Sequence, residues 1–152
     1  MSGAQDGLLG RKPTVNDAVE FRGHAMVRST HPTTIEVTTE EDLTENGDCV
    51  IGVGASKGCA GLSDEVKGAI RRPGSRVTLR VLVQGLAFGV RAYGDPRLTL
   101  SDPHEMVIRR SDFISGRTLA VRADAAARTM PRGLVRLLKS PATRGTLEIE
   151  VT

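Results

Sequence analysis

The sequence predicts a β-rich α+β fold of about eight strands and two helices, related by pseudo-two-fold symmetry through an internal duplication. Three observations predict it. The chain repeats its own punctuation, each copy carries the same succession of alternating apolar segments, and one helical segment falls between the last two strands of each copy.

The repeat is plainest in GHAMVRSTHP, residues 23 to 32, which returns as GDPRLTLSDP at residues 94 to 103. Gly23, His24, His31 and Pro32 stand against Gly94, Asp95, Asp102 and Pro103. At an offset of 71, Val19 also meets Val90, Ile35 meets Met106 and Val37 meets Ile108. The offset shortens to 70 at Asp42 and Asp112 and to 69 at Gly47 and Gly116, then holds at 68 from Val53 and Val121 to Val83 and Val151. The slips fall in polar segments, where insertions cost little. The unit is therefore about 65 residues of strand, strand, strand, helix, strand. It occurs as repeats 18–84 and 86–152 of a single domain, behind a flexible, Gly-containing tail over residues 1–17.

Alternation marks the strands at VEFRGHAMV, TIEVT, CVIGVGA and RVTLRVLV in the first copy, and at AFGVRAY, EMVIRR, TLAVRA and TLEIEV in the second. For the first helix, Leu62 and Ser63 fit a hydrophobic staple and N-cap, Asp64 and Glu65 suit the positive end of the dipole, and Arg71, Arg72, Pro73 and Gly74 stop it. The second starts at Thr129 and Pro131, buries Leu134, Leu137 and Leu138, and ends at Lys139, Ser140 and Pro141. Gln84 and Gly85 leave only a tight turn between the copies, so the last strand of the first pairs antiparallel with the first strand of the second. A closed or partly closed barrel and two packed sheets both hide the strand edges, and alternation does not choose between them.

A chain of 152 residues, 39% hydrophobic, suits one core. No apolar run approaches the roughly 18 residues of a membrane span, and MSGAQDGLLGRKPTVNDA lacks an apolar stretch before a cleavage site, which points to a soluble cytoplasmic protein with no membrane partner. Cys49 and Cys59 fit neither a CxxC motif nor a disulfide framework. The net charge of +3 hides an asymmetry. Up to Gly85 ten basic residues meet eleven acidic ones, a balance of −1; from Leu86 eleven meet seven, a balance of +4. Arginines outnumber lysines seventeen to four, which favours bidentate contacts to carboxylate or phosphate.

Under a pseudo-two-fold axis, His24 and His31 oppose Asp95 and Asp102, with His104 beside them. These five are the catalytic candidates, because imidazole and carboxylate together support acid–base chemistry. His24, His31, Asp95 and Asp102 are also the candidates for a divalent metal. Gly-Asp-Pro, Ser-Asp-Pro and Thr-His-Pro are equally turn chemistry, and the histidine spacing matches no standard metal motif. In GVGASKGCAG, residues 52 to 61, Gly54, Lys57 and Gly58 are anion-binding candidates between a strand and a helix, although neither GxxxxGK[ST] nor GxGxxG is present. Arg109, Arg110, Arg117 and Arg122 form a positive patch facing the acidic run TTEEDLTENGD and are the nucleic-acid candidates. Four aromatic residues are too few for base-stacking platforms, so structured RNA gripped through its phosphates is the form that fits. No motif names a cofactor.

The ordered series GHAMVRSTHPTTIEVTTEEDLTENGDCVIGV and GDPRLTLSDPHEMVIRRSDFISGRTLAVRADAAA resembles the archaeal family known only as domain of unknown function 371, over nearly the whole chain after the tail. The resemblance implies a cytoplasmic archaeal protein and brings no activity, cofactor or catalytic residue. It also implies a histidine after the glycine where this chain has Asp95, a departure that weakens a required histidine cluster. Two function classes follow. One is a binding module for structured RNA or an RNA–protein particle; the alternative is a small enzyme or metal- and ligand-binding protein with a His/Asp site at the pseudo-axis.

Overall fold

Alternating burial sets the four long strands against one core, and the short strands are buried almost throughout, in the structure, a computed structural model that describes residues 14–44 and 46–152. In chain order the first half contains β1 (Val15–Arg22), β2 (Thr34–Thr38), β3 (Val50–Gly52), α1 (Asp64–Ile70) and β4 (Arg76–Val83). The second half contains β5 (Leu86–Tyr93), β6 (Glu105–Arg109), β7 (Thr118–Ala120), α2 (Arg132–Leu138) and β8 (Arg144–Val151). A short 3-10 turn, Cys59–Gly61 or Ala127–Thr129, leads into each helix.

The long strands form one sheet in the order β1-β8-β4-β5, and the short strands form a second in the order β3-β2-β6-β7. Each order reads the same from either end once β1 is matched with β5, β2 with β6, β3 with β7 and β4 with β8. The fold is thus α+β and strand-rich, with two sheets rather than one continuous barrel. Backbone pairs stitch their edges together: Arg22 and Val53 exchange both hydrogen bonds, at 2.9 and 2.8 Å, and Tyr93 and Val121 do the same at 2.9 Å. Val19, Leu79, Leu147 and Ile149 from the first sheet meet Ile35, Met106, Ile108 and Leu119 from the second. Val66, Ile70, Leu134 and Leu138 bring both helices into the same core. Among the described residues no helix is long and apolar enough to cross a membrane.

The local signals act as their chemistry dictates. Ser63 caps α1 by accepting the N–H of Val66, and Gln84 and Gly85, at φ of 48° and 81°, make the tight turn joining β4 to β5. Two boundaries differ from expectation. β1 begins at Val15 and pairs with β8 from Val15–Val151 onward, so Val15, Asn16 and Asp17 belong to the sheet and not to a tail; residues 1–13 lie outside the described residues. Asp17 hid this, because it interrupts the apolar alternation, and only Lys57 and the Ser63 amide, which both bond its carboxylate, explain its place. β1 also stops at Arg22 instead of running to Val27, because the chain turns at Gly23.

That turn is a close docking site. Gly23 donates to the Thr143 carbonyl at 2.9 Å and His24 to that of Leu138 at 2.9 Å, at the end of α2. A β-carbon on Gly23 would overlap the Leu138 and Ser140 carbonyl oxygens. The other half mirrors it: Gly94 donates to Ser75 at 3.1 Å, and a β-carbon there would overlap the Ile70 carbonyl at the end of α1. Lys139 and Arg71, one after each helix, then bond the carbonyls of Val27 and Leu98 in the opposite half.

The halves pack differently at one matched set of positions. Phe21 lies across from Gly145 and against Gly52, where added β-carbons would collide with its ring. The matched positions hold Ala92, Val77 and Ala120: one large and two minimal side chains are exchanged for three of middling size. Gly52→Ala alone is expected to destabilise by about 1–3 kcal/mol through overpacking. Phe21→Ala alone should lose about 3–5 kcal/mol. The triple variant Phe21→Ala, Gly52→Ala, Gly145→Val should recover a substantial part of the Phe21→Ala loss in urea unfolding.

Candidate functional site

The two histidines and two aspartates of the repeated decapeptides each bond the amide two residues ahead. His24 Nδ1 accepts from Met26 at 3.0 Å, His31 Nδ1 from Thr33 at 3.2 Å, Asp95 Oδ1 from Arg97 at 2.8 Å and Asp102 Oδ1 from His104 at 2.8 Å. An imidazole nitrogen thus performs in the first half what a carboxylate oxygen performs in the second. The bond from Arg97, side chain and backbone, lowers the Asp95 pKa; for Asp102 burial acts upward, but the His104 and Glu105 amides outweigh it and the pKa is lowered.

The structure does not gather these residues into one site. The His31 carbonyl accepts from Arg128 and the Asp102 carbonyl from Ala60, so each turn docks before the helix of the opposite half. His104 Nδ1 bonds Thr39 Oγ1 at 2.8 Å and lies 3.9 Å from Glu40. Among the described residues no three His, Cys, Asp or Glu side chains come together as metal ligands. Of the five candidates, His24, His31, Asp95 and Asp102 each accept a turn amide, and His104 instead bonds Thr39.

The glycine-rich loop is likewise occupied by its own structure. Gly54, Ala55 and Ser56 donate their amides to Glu40, Thr38 and Glu20, and Lys57 pairs with Asp17 at 2.9 Å. Gly58 abuts the backbone of Pro103 and His104, so its missing side chain serves packing. The anion-binding candidates Gly54 and Lys57 thus have intramolecular partners, and Gly58 is a packing position.

The predicted arginines divide. Arg109 bonds Thr118 at 2.8 Å and lies over the Phe113 ring at 4.9 Å; Arg117 pairs with Glu105 at 2.7 Å and approaches Glu36 at 4.0 Å. Arg110 is exposed, and its amide bonds the Thr33 carbonyl. Sequence reasoning missed Glu36 and Glu105 as members of this cluster, since each reads as an outward-facing position of an ordinary strand. Cys49 completes it, with Sγ 3.4 Å from Glu36 Oε1. Burial first, and then the Glu105 carboxylate, push Glu36 up to about 7. Burial also pushes both thiols, Cys49 and Cys59, up to about 12.

Arg122 lies apart from these, stacked over Tyr93, a residue that lines a cleft at the β4–β5 end of the long-stranded sheet. The cleft measures about 360 Å³ and is lined by Arg76, Val77, Thr78, Arg91, Ala92, Tyr93 and Thr152, with no acidic side chain among them. Arg122 lies over the Tyr93 ring at 4.8 Å. Its backbone sits at φ 52°, where the matched residue of the first half is Gly54 at φ 59°. The matched first-half cleft is lined instead by Glu20, Phe21, Arg22, Glu41, Gly54, Ser56 and Arg144, and its Arg22 is paired with Glu41. One cleft is internally neutralised and the other is cationic.

The Glu36 cluster generates a pH dependence. Its folded pKa lies above the ordinary 4.5, so the fold favours the protonated carboxyl. That contribution is complete below pH 4.5 and is lost as pH rises through about 7. Melting temperature should therefore fall between pH 5 and pH 8, and Glu36→Gln should flatten that fall, with a benefit at pH 8 on the order of 1 kcal/mol.

The profile of a family described as Domain of unknown function (DUF371) matches residues 19–152. An uncharacterised protein of the archaeon Methanocaldococcus jannaschii is 36% identical over 121 residues, covering 80% of this chain and 89% of that protein. With so much of the chain matched, it belongs to the DUF371 family, a domain of unknown function.

Proposed function

We propose that this protein is a binding module for structured RNA, which it grips by phosphate through the cleft of Arg76, Arg91, Arg122 and Tyr93. One observation carries the proposal: Arg122 occupies a left-handed backbone conformation, in a position whose counterpart is glycine, and thereby places its guanidinium over Tyr93, which lines a cleft with Arg76 and Arg91 and no acidic side chain. A non-glycine residue at such φ costs roughly 1–2 kcal/mol, and strain of this kind concentrates at functional sites. Arginine forks match phosphate oxygens bidentately, and Tyr93, 38% exposed, offers ring surface to a neighbouring base.

The asymmetry between the two clefts supports the same function. If a duplicated unit gave rise to both halves, the second-half cleft lost the acids that neutralise the first, and binding specialised there. The wider second-half excess of arginine follows the same direction. The setting we propose is the cytoplasm, where free Cys49 and Cys59 stay reduced.

Arg122→Gly separates binding from folding. It should raise stability by about 1 kcal/mol through relief of strain while weakening RNA affinity. Fluorescence anisotropy against structured total cellular RNA should show binding that falls with salt, and the slope of log K against log salt should shrink by roughly 0.9 for each phosphate the variant no longer neutralises. Absence of any salt-sensitive binding by the unaltered protein would end this proposal.

A further inference from the structure

We infer that the cationic cleft recognises a terminal phosphomonoester on a nucleotide, in preference to the internal phosphodiester backbone; this rests on the RNA binding proposed above. The charge pattern around the cleft carries it. Arg76 and Arg91 line the cleft, Arg122 stacks over its Tyr93, and carboxylates border these arginines on several sides. Asp124 Oδ1 takes the backbone N–H of Arg91 at 2.9 Å, Asp95 lies close enough to Arg122 for its carboxyl to feel that charge, and Glu150 lies across from Thr78 on the neighbouring strand. Next along that sheet Arg80 is already paired with Glu150 at 3.2 Å.

A continuous polyanion leaving the cleft over the β8 side of the sheet meets like charge. A compact dianion does not. A terminal phosphate carries a charge of about −1.5 to −2 on one group, against one charge for each internal diester, and so concentrates its charge where the three guanidinium groups are. The size agrees: a cleft of about 360 Å³ is at the small end of the roughly 300–1,000 Å³ range of small-ligand sites. Tyr93 stands beside the arginines, where the base or ribose next to the phosphate would lie.

The test is competition anisotropy with one hairpin RNA prepared in three forms: with a 5′-phosphate, with a 3′-phosphate and with hydroxyls at both ends. Adenosine monophosphate and inorganic phosphate serve as free probes. The expected result is at least tenfold tighter binding of one phosphorylated form over the hydroxyl form, a ratio that collapses towards one in Arg76→Ala and Arg91→Ala. Thermal unfolding of both variants checks that their fold is intact. Equal affinity for all three hairpins overturns end recognition while leaving RNA binding standing. No binding of any hairpin, with adenosine monophosphate bound in a manner lost in Arg91→Ala, keeps the phosphomonoester site and overturns the RNA source in favour of a free nucleotide. No binding of any probe overturns both.

Discussion

The glycine turn of each half lies on the C-terminal end of the other half's helix, and the remaining architecture depends on that exchange. The last carbonyls of a helix have no partner inside it. Here Leu138 and the segment after it receive Gly23 and His24, while Ser75 after α1 receives Gly94. The approach is close enough to exclude a β-carbon at either glycine. Lys139 and Arg71 then secure the same loops by their carbonyls. Because each half docks on the helix of the other, and because β8 lies between β1 and β4, neither half has a finished sheet by itself.

This exchange also accounts for the repeated decapeptide. The turn after each glycine must present its backbone to a foreign helix end, and an acceptor side chain that bonds the amide two residues ahead holds it in shape. Histidine Nδ1 and aspartate Oδ1 are both such acceptors, which is why the residue type can differ while the geometry is retained. In each case one nitrogen or oxygen of the side chain is committed to the turn.

A scaffold with matched halves leaves function to the places where the match fails. Phe21 with two glycines against Ala92, Val77 and Ala120 is a failure confined to packing. Arg122 against Gly54 is of another kind, since the backbone keeps a conformation suited to glycine while the side chain adds a charge. Around it Glu20 is matched by Arg91 and Arg22 by Tyr93, so a neutral cleft becomes a cationic one. The Glu36 cluster is a third case: a carboxylate at the centre of the short-stranded sheet becomes buried through residues from the loops before β3 and β7.

The sequence by itself determined the elements and their order, because strand alternation, helix caps and the Gln84–Gly85 turn are local preferences written in neighbouring residues. TIEVT and RVTLRVLV became strands over the spans their alternation marks, and Ser63 caps its helix. Arg122 was visible as a binding candidate, but its cleft was not, since Arg76, Arg91 and Tyr93 become neighbours only through strand pairing. Tertiary structure alone decided that β8 lies between β1 and β4, that the inward Asp17 is satisfied by Lys57, and that the histidines and aspartates cap turns instead of converging. The physical reason is one of range: a turn or cap is decided within a few residues, whereas burial of a charge and the partner that answers it depend on segments brought together from distant parts of the chain.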